Sequence, residues 1–184
     1  SADAHNNLGN VLKELGQLDA AVKSYEKALT IKDEDPEIHN NLGITLHKLG
    51  QMDAAINCYE KTLAIKPEHA DAHNNLGVTF RELGQLNEAV KQYKKSLTIK
   101  PDYTIALNNL GFAHQELGQI DDAIKQYEKA LTINPSYVLA YFNLSAIKQY
   151  TINDSQVAQM QSLLSSSNLS QSDRIHLCFA LANV

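Results

Sequence analysis

Histidines recur at a fixed spacing along this sequence, and regularly spaced histidines can form a metal site. His5, His39 and His73 follow one another at equal intervals. If each lies on a separate helix, the helix axes are about 8–10 Å apart, whereas a zinc–nitrogen bond is about 2 Å long. One ion therefore cannot bind all three side chains. The spacing predicts instead that the histidines pack in or near a core, and we expect no metal and no other cofactor.

Cys58 is the strongest candidate for a nucleophile, with His47 or His73 as its base. A catalytic pair also needs a third group that orients the base, and the sequence offers none. Cys58 and Cys178 lie far apart without metal-type spacing, which favours small buried side chains in a reducing compartment. The sequence therefore predicts no catalytic residue, and we expect that the chain is not itself an enzyme.

Asparagines stand in adjacent pairs at four places, again at the interval that separates the histidines. The pairs are Asn6-Asn7, Asn40-Asn41, Asn74-Asn75 and Asn108-Asn109. In the next period Asn143 occupies the place of the second member of a pair. Asparagine is a mediocre helix former, and its carboxamide both donates and accepts hydrogen bonds. The ladder of second positions (Asn7, Asn41, Asn75, Asn109 and Asn143) is predicted to bind the main chain of an extended peptide. The alternative is that these side chains bond to neighbouring helices and fix their packing, and both can hold. For the first positions (Asn6, Asn40, Asn74 and Asn108) the two interpretations are equally favoured.

A single repeat period, the distance from His5 to His39, organises the elements that carry these side chains. Many positions keep the same residue type in four or more successive periods; in the first period they include Leu8, Gly9, Ala21 and Tyr25. The small Gly9 and Ala21 predict a close approach of two helices. Apolar residues within 3–15 fall on one face at helical spacing, which predicts a first helix. Gly16 is typical of the residue just after a helix, and a second helix is predicted to run to about Ile31.

This pattern resembles the tetratricopeptide repeat family, whose repeat has the same length of about 34 residues. The resemblance implies an all-α, right-handed superhelical solenoid of helix-turn-helix repeats. The implied divisions are repeats at 2–35, 36–69, 70–103 and 104–137, the first helix of a degenerate fifth repeat at 138–150, and a C-terminal helical extension at 151–184.

The extension departs from the repeat pattern. A short helix is predicted over 155–164, followed by a serine-rich linker at 165–172. Ser170 with Asp173 is typical of the start of a further helix. That helix is cut short, so we expect the chain to be an excerpt of a longer polypeptide.

In the family that the chain resembles, the first helix of each pair lines a concave groove. The resemblance therefore places the asparagine ladder in such a groove. Basic side chains on the same face are predicted to select acidic groups of a bound peptide: Lys13, His47, Lys48 and Arg81.

The same face becomes more apolar toward the C-terminal end. Ile105, Phe112 and Phe142 are predicted to anchor apolar side chains of a bound peptide, since exposed apolar patches mark interaction sites. Two alternatives stay open. Either the tail at 155–184 folds back over these residues, or they form a dimer contact.

Two further resemblances concern the whole protein rather than this chain. The phrase His-Asn-Asn-Leu-Gly, present in three repeats, resembles the repeat region of O-linked N-acetylglucosamine transferases and related bacterial proteins. The segment 169–182 is similar to the part that joins repeats to a sulfotransferase-like domain in some bacterial proteins. They imply an alternative function, in which the chain presents substrates to a glycosyltransferase or sulfotransferase domain outside residues 1–184. A third possibility is a self-assembling scaffold, with homo-oligomers formed through the repeat ends or the C-terminal helix.

Charge and hydropathy exclude two classes of partner. The chain has 16 basic and 21 acidic residues, a net charge of −5, and lacks the basic stripe that nucleic acid requires. No apolar run approaches the ~20 residues that span a membrane. We therefore expect a cytoplasmic protein-interaction scaffold whose partner is a protein or peptide.

Overall fold

A computed structural model describes residues 1–166 and 168–184, which form helices joined by turns and short connections. The helices are α1 (Ala2–Glu14), α2 (Leu18–Leu29), α3 (Pro36–Lys48), α4 (Met52–Ile65), α5 (Ala70–Glu82), α6 (Leu86–Ile99), α7 (Thr104–Glu116), α8 (Ile120–Ile133), α9 (Val138–Ser145), α10 (Ser155–Leu164) and α11 (Gln171–Ala182). The all-α helical-repeat class predicted from the sequence is confirmed. Within the described ranges, every helix is too short or too polar to cross a membrane.

The helices fall into two compact units. The first unit, Ser1–Ile99, contains α1 to α6, and the second, Lys100–Val184, contains α7 to α11. In the first unit α1 packs with α2, α3 with α4 and α5 with α6, and each pair also packs on the next. In the second unit α7 packs with α8, and α8 with α9.

The turn inside each pair depends on a glycine in the left-handed conformation. Gly16 has a φ of 74°, and its N–H donates to Lys13 O at 3.2 Å. The next N–H, that of Gln17, donates to Leu12 O at 2.9 Å. These two bonds form a Schellman motif, which satisfies carbonyls that the end of a helix leaves unpaired. The predicted end of the first helix at Gly16 is therefore confirmed.

A tyrosine of each second helix lies directly against the glycine of its first helix. A Cβ atom built on Gly77 would lie 2.7 Å from Tyr93 Cε1, well inside van der Waals contact. The equivalent pairs are Gly9 with Tyr25, Gly43 with Tyr59 and Gly111 with Tyr127. The prediction that small residues allow a close approach of paired helices is confirmed.

The connection between the first two pairs ends in an N-capped helix. Pro36 begins α3, where a missing N–H costs no helical bond. The Asp35 carboxylate accepts hydrogen bonds from the N–H groups of Glu37 (3.0 Å) and Ile38 (3.2 Å), and it lies 2.6 Å from Lys32 Nζ. Burial opposes ionisation of Asp35, but Lys32 and the two N–H groups together hold its pKa below the usual value.

The fifth first helix is shorter than the predicted range of 138–150. α9 ends at Ser145, where Ile147 N–H donates to Leu144 O and tightens the last turn. Lys148 Nζ then lies 2.7 Å from Glu128 Oε1 on α8, and Tyr150 is buried. These contacts are made by residues that lie beyond the end of α9.

The tail forms two helices. The helix predicted over 155–164 is confirmed as α10. Ser170 caps α11, because its Oγ accepts a hydrogen bond from Asp173 N–H at 3.0 Å. α11 packs on both α9 and α10. The predicted linker at 165–172 includes residue 167, which lies outside the described residues.

Candidate functional site

In both units the second asparagine of one repeat donates a hydrogen bond to the first asparagine of the repeat before it. The bonds are Asn41 Nδ2 to Asn6 Oδ1 (3.3 Å) and Asn75 Nδ2 to Asn40 Oδ1 (3.2 Å) in the first unit, and Asn143 Nδ2 to Asn108 Oδ1 (3.0 Å) in the second. Each bond joins the first helices of successive repeats. The interhelical role that the sequence left as an alternative is therefore present in these three pairs.

The two positions of an asparagine pair differ in exposure. Asn40, Asn74 and Asn108 are buried, whereas Asn41 and Asn75 are half-buried. Asn6, Asn109 and Asn143 are also half-buried, and Asn7 is exposed. A carboxamide has two N–H donors and an acceptor oxygen. One interhelical bond therefore leaves Asn41 and Asn75 with further groups that can form hydrogen bonds. The bond orients these side chains and leaves them further hydrogen-bonding capacity.

A small depression of about 90 Å³ opens on the first-helix face of the first unit. It is lined by Ile44, His47, Lys48, Tyr59, Asn75 and Val78. Five of these residues come from the first helices α3 and α5, and Tyr59 comes from the second helix α4. The sequence does not predict that Tyr59 lines this depression, because the recurrence of tyrosine once per repeat indicates only a core residue.

Basic side chains of the first unit meet on the same face. Burial lowers the pKa of Lys13, and the nearby positive charge of Lys48 lowers it further. His47 Nε2 lies 3.1 Å from Glu82 Oε2, so one of the predicted anion-selecting groups already faces an acidic side chain. Arg81, the fourth predicted basic group, is half-buried.

Tyrosine hydroxyls of the second helices reach through to the first-helix face. Tyr25 Oη–H donates to Asn10 Oδ1 at 2.7 Å, and Tyr127 Oη–H donates to Gln115 Oε1 at 3.0 Å. Burial raises the pKa of Tyr25 to about 12. These bonds hold Asn10 and Gln115 in place, a support that the sequence analysis did not identify.

The predicted apolar residues of the second unit have different surroundings. Ile105 is exposed and Phe112 is half-buried. The ring of Phe142 lies against that of His176 on α11, with the centroids 4.8 Å apart. At Phe142 the tail thus folds back onto the first-helix face, which was one of the alternatives left open by the sequence. Phe142 is therefore a contact of the tail.

The predicted packing of the repeated histidines is confirmed at His39 and His73, which are both buried. His73 Nδ1 lies 2.8 Å from Gln92 Oε1, and its Nε2 lies 3.1 Å from Pro67 O. Over residues 1–166 and 168–184, no three His, Cys, Asp or Glu side chains come together as a metal site requires.

The two cysteines differ in exposure. Cys58 is buried, and burial raises the pKa of its thiol, which disfavours the nucleophilic thiolate. Cys178 is exposed, so the prediction that it is buried is wrong. The physical reason is that α11 turns Leu177 and Ala180 inward and leaves Cys178 on its other side.

Repeat-family profiles match most of the sequence. A TPR repeat profile matches residues 9–50, and tetratricopeptide repeat profiles match residues 34–102 and 104–137. The chain belongs to the tetratricopeptide repeat (TPR) family. This membership confirms the family resemblance drawn from the repeat period. No curated protein sequence matches the chain.

Solved TPR structures resemble the fold. TTC0263, a thermophilic TPR protein of Thermus thermophilus, is 22% identical, with a TM-score of 0.77 over 99% of this chain and 100% of that one. YrrB, described as a TPR protein with an unusual peptide-binding site, is 20% identical, with a TM-score of 0.67 over 98% and 91% of the two chains. The first TPR of Spaghetti (RPAP3), bound to the HSP90 peptide SRMEEVD, is 25% identical, with a TM-score of 0.59 over 61% and 89%.

Proposed function

We propose that this TPR chain is a protein-interaction scaffold, and that the first-helix face of its first unit binds an extended segment of a partner protein. The observation that carries the proposal is the orientation of Asn41 and Asn75. Each is fixed by a hydrogen bond to the preceding first helix and keeps unused hydrogen-bonding capacity. Side chains oriented before binding lose less conformational entropy when a ligand arrives, so they suit recognition of a main chain.

The spacing of the asparagines favours a main-chain ligand. Asn41 and Asn75 occupy equivalent places on successive first helices, α3 and α5. An extended chain repeats its N–H and C=O groups regularly, and the carboxamides can pair with them whatever the side chains are. The buried Asn40, in this proposal, positions Asn75 and does not touch the ligand.

Selectivity is proposed to come from the depression beside Asn75. Its volume of about 90 Å³ and its Ile44 and Val78 walls suit a small aliphatic side chain. Lys48 lines the depression and lies near Lys13, so a carboxylate bound between these lysines relieves their mutual repulsion. The preferred segment in this proposal carries a small aliphatic residue close to an acidic one.

The second unit offers a more apolar surface for the same kind of partner. We propose a separate contact surface on this unit, with Ile105 and Phe112 as apolar contacts and Asn109 and Asn143 as main-chain contacts. Phe142 is left out, because its ring packs against His176 of the tail. The proposal gives no catalytic role to any residue, and it places the chain in the cytoplasm, where free thiols such as Cys58 and Cys178 persist.

Two structural relatives support this interpretation of the fold. YrrB is described as having a peptide-binding site, and the RPAP3 repeat was solved with an acidic peptide. The alternative of a substrate-presenting arm for a transferase domain rests on sequence resemblance alone and stays a prediction.

The test is a binding screen of the purified chain against an array of unstructured peptides, with SRMEEVD and its Glu-to-Gln version among them. The double variant Asn41→Ala/Asn75→Ala should lose about 10- to 100-fold in affinity, because two hydrogen bonds of about 1 kcal/mol each disappear. Its helical circular dichroism should match that of the parent.

The matched control is Asn57→Ala/Asn87→Ala, which removes two exposed asparagines from the second helices α4 and α6. This control should bind like the parent chain. Equal affinity of the Asn41/Asn75 variant and the control would contradict main-chain binding by the ladder.

A further inference from the structure

The last helix exposes an apolar face that nothing in the described residues covers. Ile175 is 48% exposed and Phe179 is 61% exposed, although Leu177 and Ala180 on the other side of α11 are fully buried. The exposed side forms a depression of about 500 Å³, lined by Gln171, Arg174, Ile175, Cys178, Phe179 and Ala182. Large exposed apolar side chains in a row mark an interaction surface.

α11 packs against α9 in the way that the first helices of two successive repeats pack against each other. His176 contacts Phe142, and seven residues later Asn183 Nδ2 donates to Ser145 O at 3.4 Å. Later residues of α11 thus meet later residues of α9, so the two helices run in the same direction. First helices of successive repeats also run parallel, with their second helices antiparallel between them.

The sequence of α11 gives its register within a repeat. Leu181-Ala182-Asn183-Val184 repeats the order of Leu8-Gly9-Asn10-Val11, with Ala182 at the place of the glycine. If Ala182 is matched with Gly77, the preceding residues of α11 are matched as well. Phe179 then takes the place of Asn74, Cys178 that of His73, and Ile175 that of Ala70. These positions, with Arg174, Gln171 and Ala182 itself, are the lining of the depression.

In the third repeat the part of this face around His73 and Gly77 is covered by the repeat's own second helix. The first-asparagine position, which Phe179 takes, faces the next first helix instead, as the bond from Asn75 to Asn40 shows. His73 is buried and its Nδ1 lies 2.8 Å from Gln92 on α6, while Tyr93 lies against Gly77. The same face is exposed on α11. Its apolar character and its small residue at 182 are what a second helix needs as a partner surface.

We propose that this face of α11 is the docking surface for one amphipathic helix supplied from outside residues 1–184. The helix runs antiparallel to α11 and carries the pattern of this chain's second helices, an alanine followed four residues later by an aromatic, as in Ala123 and Tyr127. The aromatic ring packs on Ala182, and the flanking apolar side chains cover Ile175 and Cys178. A folded second copy cannot supply one of its second helices, because their tyrosines are already buried in their own repeats.

Cys178 is a reporter at the centre of this surface. It is exposed while Cys58 is buried, so a Cys58→Ser background gives a single reactive thiol. The experiment extends the chain after Val184 with a copy of residues 114–134, which places the second Tyr127 sixteen residues after Ala182, as Tyr127 follows Gly111. The rate at which Cys178 reacts with Ellman's reagent is measured with and without the extension.

The docking proposal expects the extension to slow the thiol reaction at least about tenfold, because the docked helix must open before the reagent reaches Cys178. A matched extension with Ala123→Asp and Tyr127→Asp in the appended copy should leave the rate unchanged. In a second measurement, a labelled peptide of residues 119–134 should bind the unmodified 184-residue chain and should lose binding to the Ile175→Asp variant, because Ile175 takes the place of Ala70, which Ser96 of the second helix contacts.

Two results would overturn the proposal. One is an unchanged thiol rate with the extension while its helical circular dichroism increases. The other is protection of Cys178 in the unmodified chain that grows with protein concentration together with a doubling of mass, since the face would then be covered by a second copy. Both readouts are independent of peptide binding at the asparagines. A failure of the docking proposal therefore does not contradict the proposed function, and a failure of the proposed function does not contradict the docking proposal.

Discussion

At the scale of single residues, the contact between a first-helix glycine and a second-helix tyrosine gives a sharp test of the packing. Replacing Gly77 by alanine puts a Cβ 2.7 Å from Tyr93 Cε1, and the ring is fully buried, so the packing around it must shift. Overpacking of this kind costs about 1–3 kcal/mol, which exceeds the gain in helix propensity from glycine to alanine. Urea unfolding of Gly77→Ala should therefore show a lower midpoint with a similar slope.

The matched control is Ser145→Ala, at the equivalent place of the fifth repeat. Gln161 stands sixteen residues later, where the earlier repeats have tyrosine, so a Cβ is already accommodated at this position. We expect a change below about 1 kcal/mol, the loss of one hydrogen bond from Ser145 Oγ to Phe142 O. Equal losses in the two variants would argue against the tyrosine contact as the cause.

The asparagine pairs show where residue-level prediction from sequence ends. The repeat period predicts that Asn41 and Asn75 lie on equivalent faces of successive helices. It does not predict that Asn75 donates to Asn40, because that bond depends on the offset between two packed helices. Only the structure separates the buried first position from the half-buried second one.

At the scale of elements, the cap of α3 is the clearest case of a helix start that depends on ionisation. Asp35 accepts two main-chain N–H bonds and pairs with Lys32. Its folded pKa is below the unfolded value of about 3.9, so its charge contributes stability that is fully present above that value. The contribution disappears as the pH falls through the folded pKa.

Asp35→Ala should therefore lower the free energy of unfolding by about 1 kcal/mol at pH 7, the usual worth of an N-cap. The difference from the parent should shrink as the pH falls below about 4 and through the folded pKa, where the parent's carboxylate becomes protonated. Glu34→Ala, which removes an exposed neighbouring carboxylate, serves as the control and should change little at either pH. A gap between Asp35→Ala and the parent that widens in acid would contradict the assigned cap.

Element boundaries follow from the sequence where local chemistry fixes them. Gly16, whose residue type tolerates a positive φ, ends the first helix as predicted. The end of α9 does not follow in this way, since no glycine or proline stands near Ser145. Just beyond that end Lys148 binds Glu128, a contact between residues 20 apart that no local pattern reports.

At the scale of the whole molecule, the burial of a side chain depends on its neighbours as much as on its type. Leu8 is 48% exposed, whereas the equivalent Leu42 and Leu76 are 7% and 3% exposed. The later leucines are covered by the preceding second helix, and among the described residues α1 has no helix before it. The repeat period predicts the helices and the fold class, but not which copies of a position are covered.

The first unit provides the last prediction, because it contains Asn41, Asn75 and the 90 Å³ depression, on which the proposed function rests. Repeats contact only their neighbours, and three helix pairs suffice for a stable stack. A fragment of residues 1–99 should therefore unfold cooperatively in urea, with a smaller slope than the full chain because it exposes less surface. It should also bind the same peptides.

Comparing the peptide affinity of the fragment with that of the full chain shows which surface binds the peptide. If the first unit is sufficient, the fragment keeps the affinity of the full chain within a few-fold, and Asn41→Ala/Asn75→Ala lowers both by the same factor. A folded fragment that binds none of the peptides bound by the full chain would assign recognition to residues 100–184, where Ile105 and Phe112 lie. Circular dichroism of the fragment separates that outcome from simple unfolding, since a folded stack of six helices keeps its helical signal.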